Sequence, residues 1–318
     1  MRFSFFSILL VSLSAICAEG TSSTAQPAAV VSGTASEPSA SVEAEYAKLQ
    51  ADDDAAQAEV DQWLREHEGP PGAGMTNRIQ ARLEPIRRSY EEFLRRHPDH
   101  ARAHLAYGNF LNERQDEAGA QAQWEKVIEL DPKNAAAYHN LAGRYSEVGP
   151  AKKVFEYFSK AIELSPSEPV YYHNFADSMC VLSKHAMKYY GVSEQEVYAK
   201  ALQLYSNAAR LAPENFAFAS DCAQTYYSFK PLPAGDALRA WTNALETAYD
   251  EREREEVYVH LARVTMLAGR LAEARAQLNA VTNVQLAQLK SNLLHAIQVR
   301  EDPQAGTNGA PPAAVKSP

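Results

Sequence analysis

Large apolar residues in this chain recur at helical spacing. Between 76 and 96 they are Ile79, Leu83, Ile86, Tyr90, Phe93 and Leu94, one stripe of a single helix. From 42 to 68, Tyr46, Leu49, Ala56, Val60, Trp63 and Leu64 make a second stripe, interrupted by Asp52, Asp53 and Asp54. This predicts an acidic N-terminal helix, stopped by the Gly- and Pro-rich run that follows Glu68. Near the other end, Val284, Leu286, Leu289, Leu293 and Ile297 face one way, with Gln285, Lys290, Asn292 and Gln298 largely opposite. One face apolar and one wet suits a helix that closes a stack, so 284–299 is expected to be a cap.

The middle of the chain repeats. Pro98, Pro132 and Pro166 follow one another at a period of about 34 residues. Each comes just after an apolar helix end, where a residue without an N–H suits a chain that stops being helical. Within the period, Tyr138, Leu141, Ala142 and Tyr145 are followed by Val154, Phe158, Ala161 and Pro166. One period earlier stand His104, Tyr107, Gly108 and Leu111, then Ala120, Trp124, Val127 and Pro132. This pattern resembles the tetratricopeptide repeat family. Looser copies follow, opened by Tyr172, Phe175, Ala176 and Met179, by Ala219, Cys222, Ala223 and Tyr226, and by Tyr258, Leu261, Ala262 and Thr265. The resemblance implies an all-α fold, a right-handed α–α superhelix of about five helix-turn-helix repeats with capping helices at both ends. It places the solenoid at 76–299, with repeats near 101–134, 135–168, 169–215, 216–250 and 255–283. The helix at 76–96 reads as an unpaired second helix at the N-terminal end.

In this family the motif residues pack the core and the first helices line a concave groove. By that correspondence the groove holds Arg102, Asn109, Asn112 and Glu113, then His139, His173 and Asp177, then Gln224, Tyr227 and Arg263. His139 and His173 occupy equivalent places in adjacent repeats and are expected to share one patch. The mixture of polar, aromatic and oppositely charged side chains suits a protein or an extended peptide. Some family members clamp a C-terminal carboxylate with two Asn and three basic side chains. Asn109 and Asn140 match the Asn positions, but Leu105, Val170 and Asn174 stand where the cations would be. Charge assistance is what makes such a clamp strong, so no affinity for acidic chaperone tails is expected.

The third repeat carries about a dozen extra residues against the family period. Residues 183–191 are expected to lengthen its first helix until Gly191 stops it, and Ser193 with Glu196 reads as a capping box for the next. The expectation is an overlong hairpin tipped by Tyr189, Tyr190 and Tyr198, either packed on itself or offered as a docking or dimer contact.

Residues 1–18 read as a secretion signal, with Arg2 ahead of an apolar run and small residues at Ala15 and Ala18. A rarer reading makes Cys17 a lipid anchor, against which Ile16 is a poor match for the preceding residue. Residues 19–41 and 300–318 are rich in small residues and Pro and read as a linker and a tail. The expected location is periplasmic or secreted, with no membrane span left after cleavage. The absence of an Asn-x-Ser/Thr sequon favours a bacterial source. Net charge is −9, and the basic run Arg87, Arg88, Arg95 and Arg96 lies on a mixed helix, so nucleic acid is not an expected partner. Cys180 and Cys222 are too few for a disulfide framework. No nucleophile elbow, zinc-protease or phosphate-loop motif occurs, so neither an enzyme nor a cofactor is expected. His97, His100 and His104 have a spacing that could hold a metal, but His104 sits at a core position, and no metal is assigned. The reading is an exported scaffold for protein or peptide partners. The alternative is a self-associating structural component of the cell envelope.

Overall fold

The computed structural model describes residues 39–67 and 72–302; the signal, Cys17, most of the linker and the tail from 303 lie outside the described residues. Among the described residues there are fourteen α-helices and no strand. They follow one another as α1 (Ala40–Glu66), α2 (Ala73–Arg96), α3 (Ala101–Glu113), α4 (Glu117–Leu130), α5 (Ala135–Val148), α6 (Ala151–Leu164) and α7 (Pro169–Val181). Then come α8 (Ser183–Tyr190), α9 (Glu194–Leu211), α10 (Phe216–Thr225), α11 (Ala234–Thr247), α12 (Glu251–Leu267), α13 (Leu271–Asn279) and α14 (Ala287–Glu301).

The helices pack as successive pairs: α3 on α4, α5 on α6, α7 on α9, α10 on α11 and α12 on α13, with each second helix also packing on the next first one. Small residues allow this. Ala103, Ala120, Ala137, Ala142, Ala161 and Ala208 are wholly inaccessible, and the volume between them is filled by Trp124, Phe158 and Tyr205. The motif prolines lie in the turns, and the carbonyls of Pro98 and Pro166 accept side-chain hydrogen bonds. Tyr172 donates its hydroxyl to the Pro166 carbonyl at 3.0 Å. One period pair earlier His104 does the same work, with Nε2 2.8 Å from the Pro98 carbonyl and Nδ1 2.6 Å from Gln123 Oε1. His104 thus stands in for an aromatic hydroxyl. Side-chain caps from His100, Asn134 and Asn215 then start α3, α5 and α10.

Two expectations are corrected. The helix at 76–96 is not unpaired: α1 packs along α2, burying Tyr46, Leu49, Ala56 and Val60. Tyr90 donates to Asp53 Oδ2 at 2.7 Å, and Tyr46 donates to the Arg102 carbonyl at 3.1 Å. The inserted segment is also no projecting hairpin. The helix breaks at Leu182, and α8 lies back against α6. Tyr189 and Tyr190 meet the fully buried Phe155 at ring distances of 5.1 and 5.6 Å, and Ala186 is sealed beneath them. Tyr198 packs near Phe229, at 6.5 Å. The gain from burying aromatic rings keeps the segment on the array. Gly191 ends α8 in the left-handed region at φ 66°, and the Ser193–Glu196 capping box opens α9.

Buried residues fall into three clusters along the stack. The first runs from Tyr46 to Tyr205, the second from Ala219 to Val264, the third from Val259 to Ile297. The first division falls between α9 and α10, where Cys222 of α10 still packs against the first cluster.

Candidate functional site

The first helices α3, α5, α7 and α10 carry a continuous row of polar side chains. Trp124 Nε1 and Asn140 Nδ2 both donate to Asn109 Oδ1, at 3.1 and 2.8 Å. Asn140 Oδ1 meets His139 Nδ1 at 3.2 Å, and Asn174 Nδ2 donates to His139 Nε2 at 2.9 Å. Asn174 Oδ1 meets His173 Nδ1 at 3.3 Å, and His173 Nε2 meets Asp221 Oδ2 at 2.8 Å. The proton placement follows from the partners. His139 accepts on Nε2 and so carries its proton on Nδ1, while His173 faces an acceptor on both sides.

The row has a repeating rule. Asn140 and Asn174 stand in one register, 34 residues apart, directly after His139 and His173. Laying Ala219, Cys222, Ala223 and Tyr226 over Tyr172, Phe175, Ala176 and Met179 puts Asp221 in that same register. Each such residue reaches back to the repeat before it, Asn140 to Asn109, Asn174 to His139 and Asp221 to His173.

The two histidines differ in charge. His139 is stacked on Tyr171 at 4.6 Å and edged by Phe158, and burial depresses its pKa to about 4, so it is neutral. Burial also opposes charge on His173, but the hydrogen bond to Asp221 and the nearby Asp177 and Asp221 carboxylates outweigh it and raise its pKa. Asp177 Oδ2 lies 3.5 Å from His173 Nδ1, and the Tyr205 hydroxyl donates to Asp177 Oδ1. Burial raises the Asp177 pKa despite these partners.

A second patch lies on α10–α12. The His260 ring is stacked on Trp241 at 4.1 Å, Tyr227 Oη is 3.2 Å from His260 Nδ1, and Arg263 covers the Tyr227 ring at 4.4 Å. Gln224 is half-buried nearby in α10.

Of the groove residues read from the sequence, Asn109, His139, His173 and Asp177 come together in the row, and Tyr227 with Arg263 in the second patch. Arg102 is drawn away to α1, where it pairs with Glu43 at 2.9 Å and covers Tyr46. Asn112 and Glu113 are exposed at the end of α3, with Glu113 beside Arg114. Asp221 and Tyr205 were not read as site residues, although the register of Asp221 was available from the repeat alignment. The histidines at 97, 100 and 104 do not converge on one point: His100 Nδ1 caps α3, and both His104 nitrogens are bonded. Among the described residues, the cluster of metal-ligand type is instead His173, Asp177 and Asp221, with ligand atoms within 4.8 Å of one another. Cys180 and Cys222 are free, and burial lifts the Cys180 thiol to about 12. The basic run on α2 is paired off by Glu84, Glu91, Glu92 and Glu45.

No family model matches the chain. A stretch of 58 residues is 40% identical to the human protein O-mannosyl-transferase TMTC3, and covers 18% of this chain but only 6% of that protein. Among solved structures, the C-terminal part of a TPR repeat-containing protein from Cytophaga hutchinsonii superposes with a TM-score of 0.53 at 13% identity, covering 78% of this chain and 98% of that one. YrrB, described as a TPR protein with an unusual peptide-binding site, gives a TM-score of 0.52 at 15% identity, over 66% of this chain and 97% of that one. With the repeated helix pairs, these likenesses fix the fold. The chain has the tetratricopeptide-type architecture, an α–α superhelical solenoid.

Proposed function

We propose that this chain is a non-catalytic, exported scaffold that holds a protein segment, in extended form, along its first-helix face. The row from Asn109 to Asp221 carries the reading. An extended peptide offers alternating N–H and C=O groups. The imidazole nitrogens are used within the row, but the side-chain amides of Asn109, Asn140 and Asn174 each have an N–H to spare for a backbone carbonyl. No Lys or Arg belongs to the row, so it favours neither a polyanion nor a carboxylate terminus. The peptide-binding TPR protein YrrB shares the fold, which supports this use of it. Export rests on the signal-like N-terminus read from the sequence. The transferase activity in the name of the human protein is not carried over, since the match spans so little of it. The self-associating alternative has less to support it, because Tyr190 and part of Tyr189 are turned onto Phe155.

Selection from a displayed peptide library tests the reading. The full chain should enrich a related set of peptides, and Asn140→Ala with Asn174→Ala should lose them at unchanged helical content. Equal enrichment by both proteins, or none by the wild type, would sink it.

A further inference from the structure

We propose that the chain binds one divalent transition-metal ion of the zinc class at His173, Asp177 and Asp221, tying α7 to α10. This goes beyond peptide holding and does not depend on it. The three side chains come from two different repeats, and their ligand atoms already lie within 4.8 Å of one another. Two of the three are oriented from behind. Asn174 Oδ1 holds the Nδ1 side of His173, which leaves Nε2 directed at Asp221 Oδ2, 2.8 Å away. The Tyr205 hydroxyl holds Asp177 through Oδ1, leaving Oδ2 as the ligand atom. Partners of this kind fix the tautomer and basicity of metal ligands and are a recurrent part of metal sites.

Charge points the same way. Among the described residues, neither Asp177 nor Asp221 has a Lys or Arg partner, so two half-buried carboxylates face a single imidazole. Leaving carboxylates under-compensated costs stability, and a divalent ion in place of the Nε2 proton balances them. One nitrogen and two carboxylate oxygens suit zinc and its neighbours, whereas calcium takes six to eight oxygens and magnesium a near-ideal octahedron. Bond lengths of about 2.0–2.2 Å at a tetrahedral angle set ligand atoms roughly 3.4 Å apart. Asp221 Oδ2 therefore opens out from its 2.8 Å contact with Nε2, and Asp177 Oδ2, which now lies 3.5 Å from Nδ1, swings toward the Nε2 side, with a water as fourth ligand. The position is also where a link has a purpose. The apolar core divides between α9 and α10, and the His173–Asp221 contact spans that division.

Cobalt(II) is the probe, because a four-coordinate site gives it strong visible d–d absorption. Titrating the full-length protein should give such bands at one ion per chain, without the thiolate charge-transfer band that Cys180 would add. Zinc should raise the thermal midpoint by mass action, and magnesium should not. Asp221→Asn and His173→Gln should each weaken cobalt binding at least tenfold, while His295→Gln on the exposed face of α14 leaves it unchanged. Should either of the first two variants lose helical content, Asp177→Asn takes its place. No d–d bands with the wild type, or the same affinity in Asp221→Asn, would overturn the assignment.

Discussion

Gly108 and Gly143 sit in first helices of adjacent repeats, yet their surroundings differ. A Cβ at Gly108 would come within 2.5 Å of Trp124 Nε1, the group that donates to Asn109, whereas at Gly143 it would meet nothing within 4 Å. Gly108→Ala should therefore destabilise the protein by about 1–3 kcal/mol, the usual cost of overpacking. Gly143→Ala should stabilise it by up to about 1 kcal/mol, because alanine is the better helix former. Chemical denaturation of the two variants checks this, and destabilisation of equal size in both would contradict it. Charge also acts residue by residue. Burial depresses the pKa of His260, stacked on Trp241, to about 4, so its unfolded form takes up a proton first as pH falls. Its stabilising effect is complete above pH 6.5 and is lost as pH drops toward 4. His173 has its pKa raised and acts in the opposite sense, so the comparison must be between proteins. Between pH 7 and pH 5 the wild type should lose about 2 kcal/mol more stability than His260→Phe. An identical pH response in the two would show that His260 is not held neutral.

Among the elements, the regular helix pairs were legible because their apolar period and terminal prolines agree. The pairs α3–α4 and α5–α6 fall where the ungapped motif places them. Two elements were harder to read for physical reasons. Asp52, Asp53 and Asp54 look like an interruption of an apolar face, but Asp53 accepts from Tyr90 and Gln57 and so belongs to the contact between α1 and α2. A buried carboxylate with partners is indistinguishable in sequence from an exposed one. The break at Leu182 likewise has no Gly or Pro to announce it; it lets α8 bury Ala186 and bring Tyr189 and Tyr190 to Phe155. The next helix start, by contrast, was plain from Ser193 and Glu196. Here Ser193→Ala should cost about 1 kcal/mol, the typical value of a helix cap, measured by thermal or urea denaturation. A variant as stable as the wild type would mean that α9 is fixed by packing alone.

For the whole molecule, a stack of pairs that touch only their neighbours has a stability that is nearly a sum along the chain. Deleting residues up to 67 should uncover the buried Tyr90 and Phe93 and let the array fray from that end. Hydrogen exchange should then show α2 and α3 losing protection while α12 and α13 keep theirs; uniform loss would indicate a single cooperative unit instead. The site was half legible at this scale. Equivalent positions of His139 and His173 were visible in the period, but Asn174 and Asp221 as links required knowing that each reaches back one repeat. The row is proposed to hold a partner. The decisive measurement places a photo-crosslinking side chain at Asn140, on the row, and separately at Lys160, a half-exposed residue of the second helix α6 paired with Glu163. A peptide selected by the full-length protein should crosslink at position 140 and not at 160. Crosslinking at 160 alone, or equally at both, would contradict binding along the first-helix face.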